Sequence, residues 1–166
     1  MADIVLDLGT SVPGECTWEG AEINGKITCT SVSFNSTQEV ERGRNATRTI
    51  HTVNIEDMTV SRLFDSSSAP IWKLLIEGKT IPTAYVYILK SAATDNQAKV
   101  WFVKYTLTNV LVAGQNVSFG ESEVTDEVTL TFTKIKVEYK KQGPNGSLTT
   151  STVCEYDLQQ GKSANA

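Results

Sequence analysis

A single histidine, His51, serves all 166 residues, so any Ser-His-Asp or Cys-His relay would have to be built around it. It stands in a polar surround at the start of a strand-like stretch, where a solvated or hydrogen-bonded imidazole is the ordinary case. Cysteine is scarce too: Cys16, Cys29 and Cys154 are an odd, scattered set without the paired spacing of a zinc site, and no second histidine completes one. They read as free thiols in a reducing compartment. There is no GxGxxG and no Walker-type loop. Glu56 and Asp57 are adjacent and so point to opposite faces of a strand, the wrong arrangement for shared acid-base work. The acids Glu121, Glu123, Asp126 and Glu127 lack the spacing of a calcium loop. No metal, no cofactor and no enzymatic activity are expected. A net charge of −4 and a pI near 5.0, with no Lys/Arg stripe, argue against nucleic acid. No run approaches the roughly 20 apolar residues of a membrane helix. The opening MADIVLDLGT carries Asp3 and Asp7 where a signal peptide would be basic, which points to the cytoplasm. Without such a signal the sequons at Asn35, Asn45, Asn116 and Asn145 carry no weight.

What is present is strand pattern almost throughout. With 40% hydrophobic and 20% charged residues, positions 1–158 suit one domain, able to bury roughly 70% of its unfolded surface, and 159–166 a flexible tail. DIVLDL (3–8) places Ile4, Leu6 and Leu8 on one face. Asn24-Gly25 is a hairpin signal between EIN and KITCTSVSF. In the latter, Ile27, Cys29, Ser31 and Ser33 share one face and Thr28, Thr30, Val32 and Phe34 the other. SSSAPIWKLLIEGK predicts one short helix, with Ser67 or Ser68 as cap, Pro70 in the first turn and Gly78 past the end. Ile71, Leu74, Leu75 and Trp72 form its apolar side. Gly143-Pro144-Asn145-Gly146 predicts a turn that folds SLTTSTVCEYDL back as an antiparallel partner.

Several strands change parity midway. In EVTLTFTKIKVEYKK (127–141), Val128, Leu130 and Phe132 share a face, after which Ile135, Val137 and Tyr139 take the apolar role on the opposite one. Either a bulge re-aims the pleat inside one core, or the halves bury against different partners. HTVNIEDMTVSR (51–62) slips between Val53/Ile55 and Met58/Val60. TAYVYILK (83–90) and KVWFVKYTLTNVLV (99–112) are apolar on both faces. One helix cannot cover so much sheet, and a neighbouring subunit is the natural cover. Two long polar tracts, 35–49 and 113–126, stand apart. The first is either functional or disordered, and the second is expected as a wet loop.

HTVNIEDMTVSRLFDSSSAPIWKLLIEGKTIPTAYVYILKSA resembles the central block of the haemolysin-coregulated protein (Hcp) family, the tube protein of bacterial type VI secretion. Val53, Asp57, Met58, Asp65, Ser67, Ser68, Pro70, Gly78, Lys79 and Lys90 are the matching positions. KYTLTNVLV, VTLTFTKIKVEYKKQGPNGS, MADIVLDL and Gly14-Glu15 are similar as well, so the likeness spans nearly the whole chain. Ser-Ala-Pro shifts the helix proline by one, and Cys16 replaces a common serine. The resemblance implies a mainly β fold: a small β-barrel of two antiparallel sheets with one flanking α-helix, assembling into a hexameric ring. Rings then stack into a hollow tube expelled by a contractile sheath behind a VgrG-type spike, with effectors in the lumen. It also implies a cytoplasmic protein that is exported to the extracellular space or a target cell. On that basis Ile135, Val137 and Tyr139 are expected in the ring wall, and Glu41, Arg42 and Arg44 at a neighbouring subunit or the next ring. Ser31 and Ser33 are expected to face the lumen. The rivals are a phage-type tail tube protein, a β-sandwich carbohydrate-binding module displaying Trp18, Trp72 and Trp101, and, weakest, a hydrolase working through His51.

Overall fold

β-Branched and aromatic residues alternating with polar ones build twelve strands among the described residues: β1 (Asp3–Asp7), β2 (Ile27–Cys29), β3 (Ser31–Ser33), β4 (Ser36–Arg42), β5 (Arg48–Ile55), β6 (Met58–Leu63), β7 (Ile81–Ser91), β8 (Lys99–Phe119), β9 (Val124–Thr131), β10 (Lys134–Gln142), β11 (Leu148–Asp157) and β12 (Lys162–Ala164). The one α-helix among them, α1, spans Ser68–Glu77 and ends at Gly78, whose φ of 62° is the left-handed closure that glycine permits. The computed structural model of the chain describes residues 3–20, 22–91, 99–144 and 147–164. Asn145 and Gly146 of the expected turn lie outside them, although β10 and β11 do pair antiparallel. Of the tail, Lys162–Ala164 pairs with the end of β11, and residues 165–166 lie outside the description.

Two antiparallel sheets share the long strand β8. The first runs β12-β11-β10-β8-β7-β1-β2 and uses β8 from Lys99 to Val110; the second joins β3, β6 and β9 to β8 from Leu111 to Phe119. β4 and β5 pair only with each other. The expected closed barrel is not formed, because the ladder breaks at Thr30. Its N–H donates to Ser61 O at 2.8 Å, leaving β2 bound to β1 and β3 bound to β6.

Three parity slips are corners where the chain passes from one sheet to the other, and the slip in 51–62 separates the β4–β5 ribbon from β6. At Thr30 the core-facing residues change from Ile27 and Cys29 to Val32 and Phe34. In β8 the slip falls at Asn109, at φ 53°, between inward Leu107 and inward Val110 and Val112. Between β9 and β10 it falls at Thr133, and these last two corners are tied together. Thr133 N–H donates to Thr108 O at 3.0 Å, and Asn109 Nδ2 donates to Thr133 Oγ1 at 3.2 Å. Ile135 then packs into the same core as Val128, Leu130 and Phe132. The bulge-like re-aiming within one core therefore describes the turn into β10, and the tract 113–126, expected as a wet loop, is the β8–β9 hairpin with its turn at Gly120–Glu123.

The main core lies between the sheets, with Ile71 and Leu74 of α1 closing one side. A second cluster on the outer face of the first sheet comprises Val5, Tyr87 and Leu89, covered by Cys16 and Ile23 and flanked by Trp18, Tyr85 and Trp101. Part of the apolar surplus in β1 and β7 is thus sheltered by the chain's own 12–26 loop, not by a neighbour. Among the described residues no strand leads directly into Asn24-Gly25. Instead Gly14 N–H donates to Gly25 O (2.8 Å) and Cys16 N–H to Lys26 O (2.9 Å), while Gly25 N–H donates to Cys16 O (2.8 Å). A Cβ on Gly14 would sit 2.1 Å from Lys26 O, so only glycine allows the loop this close.

Candidate functional site

The polar tract at 35–49 becomes a projecting ribbon. β4 pairs with β5 and with nothing else, and every residue of β4 is exposed. Glu56 N–H donates to Asn35 O at 3.0 Å, closing the base of the ribbon. Toward the tip, Val40 lies opposite Ile50 and Arg42 opposite Arg48, all four exposed. Glu41 lies on the other face, where its carboxylate reaches His51 Nε2 at 3.6 Å. Gln38 Nε2 donates to the His51 carbonyl at 3.2 Å. His51 is therefore a surface residue of the ribbon, not the centre of a catalytic relay. Arg42, Arg44 and Arg48 have no ion pair among the described residues.

A second open surface lies where α1 meets the β8–β9 hairpin. Phe64, Ala69, Trp72, Val117 and Phe119 line a groove there; Trp72 is 58% exposed and Phe119 79%. Sequence reasoning placed Trp72 on the core side of the helix, but only Ile71 and Leu74 are fully buried there and Leu75 partly. Trp18 and Trp101 pack into the second cluster instead. Lys99 Nζ lies 5.3 Å from the Trp18 ring and Lys140 Nζ 3.5 Å from the Trp101 ring. The three tryptophans do not form one sugar-binding row.

Beneath the groove sits a polar network that the sequence did not signal. Arg62 of β6 is 1% exposed and Asp126 of β9 is 0% exposed, and Arg62 Nη2 donates to Asp126 Oδ2 at 2.6 Å. The same guanidinium donates to Asp65 Oδ1 (2.7 Å), Ser67 Oγ (2.5 Å) and Ser68 Oγ (2.8 Å). Gln115 Nε2 adds a bond to Asp126 Oδ2 at 3.0 Å. Ser67 occupies the cap position of α1 yet makes no side-chain cap bond; with Ser68 it serves Arg62 instead. β6, β9 and the start of α1 are thereby joined through one cation, and β8 is tied to them by Gln115 through Asp126. Arg62 and Asp126 lie directly opposite each other in the β6–β9 register, but 64 residues apart in the chain, so no local pattern could pair them.

Of the other residues singled out from sequence, Ser31 and Ser33 are exposed on β3, on the face away from the core. Ile135 is 6% exposed, Val137 is half-buried and Tyr139 is exposed. Ile135 is thus consumed by the protomer's own core. The three cysteines are free; burial pushes the Cys29 thiol up to about 12 against the opposing pull of Arg62, and burial raises Cys16 as well. No cluster of three or more His, Cys, Asp or Glu able to hold a metal occurs among the described residues.

The family model described as "Type VI secretion system effector, Hcp" matches residues 5–139. Protein hcp1 of Pseudomonas aeruginosa is 32% identical over 97 residues, which span 57% of this chain and 58% of that protein's length. The crystal structure of Hcp1 from Salmonella typhimurium superposes with a TM-score of 0.72 at 26% identity, covering 99% of this chain and 100% of that one. A structure titled as a type six secretion system protein reaches 0.80 at 18% identity, covering 99% of this chain and 100% of its own, and supports the fold. The matched region runs from β1 through both sheets and the helix into β10, and the chain belongs to the Hcp family of the type VI secretion system.

Proposed function

We propose that this chain is the repeating unit of a type VI secretion tube. Six copies close a ring, rings stack into a hollow tube, and a contractile sheath drives the tube behind a spike with effectors in its lumen. The observation that carries the reading is the ribbon β4–β5. Two strands alone are marginal in water, and this pair exposes Val40, Ile50 and both backbone edges with no cover from the other described residues. A heterologous contact that closes into a ring removes such edges without leaving sticky ends. Val137 and Tyr139 contribute to the ring wall, whose neighbouring copies complete the barrel-like enclosure, and the ribbon, with Glu41, Arg42 and Arg44, reaches an adjacent copy. Family membership supports the assignment to the secretion system, and export follows from it. At micromolar concentration the purified protein is expected to sediment as a ring-sized species and to show annular particles in negative stain. A strict monomer would overturn the proposal.

Ser31 and Ser33 supply the polar lining of the channel. Their exposure on a strand whose other face holds Val32 and Phe34 against the core supports this placement. Cysteine introduced at Ser31 or Ser33 should react freely with small thiol reagents in the assembled tube and show a size cut-off with bulky ones. Equal labelling at every reagent size would place these residues on an outer surface.

A further inference from the structure

The ribbon carries a charge arrangement that is unfavourable in the isolated chain. In the regular part of the β4–β5 ladder, Val40 faces Ile50 and, two residues on, Arg42 faces Arg48. Residues two apart share a strand face and lie about 7 Å from each other, so one face presents an apolar pair followed by a cationic pair. Like charges directly opposite on a strand pair are destabilising. Arg44 in the turn adds a third cation, and no acid of the described chain forms an ion pair with any of the three. The groove beside α1 offers an apolar lining with acids close by in the chain. Phe64, Trp72 and Phe119 line it together with Ser68 and Gln115, and two residues beyond Phe119 the turn carries Glu121, with Glu123 following. Both acids are exposed and likewise lack an ion pair among the described residues.

We infer that the ribbon of one copy docks in the helix-side groove of a second copy, Val40 and Ile50 covering Phe119 and Trp72 while Arg42 and Arg48 meet Glu121 and Glu123. The contact is heterologous, since ribbon and groove are different surfaces of one chain, and it leaves the pair with one free ribbon and one free groove to which further copies can add. Burial of the apolar residues supplies the attraction, and the charges fix the register and reject a shifted fit. This rests on the tube reading above and names the receptor that the reading leaves unspecified.

Charge exchange tests it. One variant carries Arg42→Glu and Arg48→Glu, a second carries Glu121→Arg and Glu123→Arg, and a third carries all four. All changes are at exposed positions, and thermal melting checks that each variant folds like the parent. Sedimentation velocity and negative stain across a concentration series then follow rings and stacks. Each two-site variant should need about tenfold or more protein to assemble, because like charges now face each other, and the four-site variant should recover the parental behaviour. Parental assembly by either two-site variant, or no recovery in the four-site one, overturns the ribbon-to-groove pairing while leaving the tube reading intact. A parent that never assembles overturns both.

Discussion

Asp126→Ala should unfold the protein under conditions where the parent is stable, with a loss of about 3–5 kcal/mol in urea titration. The size follows from what is left behind. Arg62 cannot give up its charge, and it is enclosed by β6, β9 and the start of α1 with no route to water. Without the carboxylate opposite it, the cation keeps only the side chain of Asp65 and the hydroxyls of Ser67 and Ser68. Gln115 also loses its bond to Asp126. The paired replacement Arg62→Met with Asp126→Leu removes the buried pair and should regain part of the loss, because a buried ion pair gives little over a well-packed apolar pair of similar volume, while Asp65, Ser67 and Ser68 lose the guanidinium as partner. A single Asp126→Ala variant as stable as the parent would show that Arg62 is solvated in solution. The network also fixes where α1 begins, since Ser67 and Ser68 spend their hydroxyls on the guanidinium. Loss of helical signal ahead of the global transition in the alanine variant would place the damage at that junction.

The helix was legible because its signals are local: Pro70, Gly78, and Ile71 spaced with Leu74. The strands were legible from alternation. Their arrangement was not, because the slips that look like surplus apolar surface in EVTLTFTKIKVEYKK and KVWFVKYTLTNVLV are corners between two sheets, and a corner is defined by long-range pairing. Asn109 and Thr133 meet only because β8 and β9–β10 turn at the same level. The covering loop is a related case: Cys16 sits in a stretch without strand pattern and Ile23 in an expected hairpin arm that does not form a strand, yet both roof Val5, Tyr87 and Leu89. Nothing near Arg62 in sequence announces its burial. The tract 35–49 reads from sequence as either functional or disordered, and its pairing into a ribbon is hidden because Ser-Thr-Gln-Glu carries no apolar alternation.

Removing that ribbon should separate folding from assembly. Ser36 and Ile55 are cross-strand partners at its base, and Glu56 N–H to Asn35 O fixes the chain ends beside each other. Residues 37–54 can therefore be replaced by Asn-Gly, which favours a two-residue hairpin turn. Ile55 packs against the main core and is retained. Nothing deleted contributes to either apolar cluster, so the melting temperature should move by only a few degrees, about what 1 kcal/mol does in a domain of this size. Assembly should suffer far more, since the apolar pair Val40–Ile50 and all three arginines of the tip leave together. Negative stain should then show at most isolated rings at concentrations where the parent forms stacks, and only monomer if the ribbon also closes the ring. Stacks of parental length from the shortened chain would mean that the strongest contacts between copies lie elsewhere, with Val137 and Tyr139 on β10 the next surface to alter.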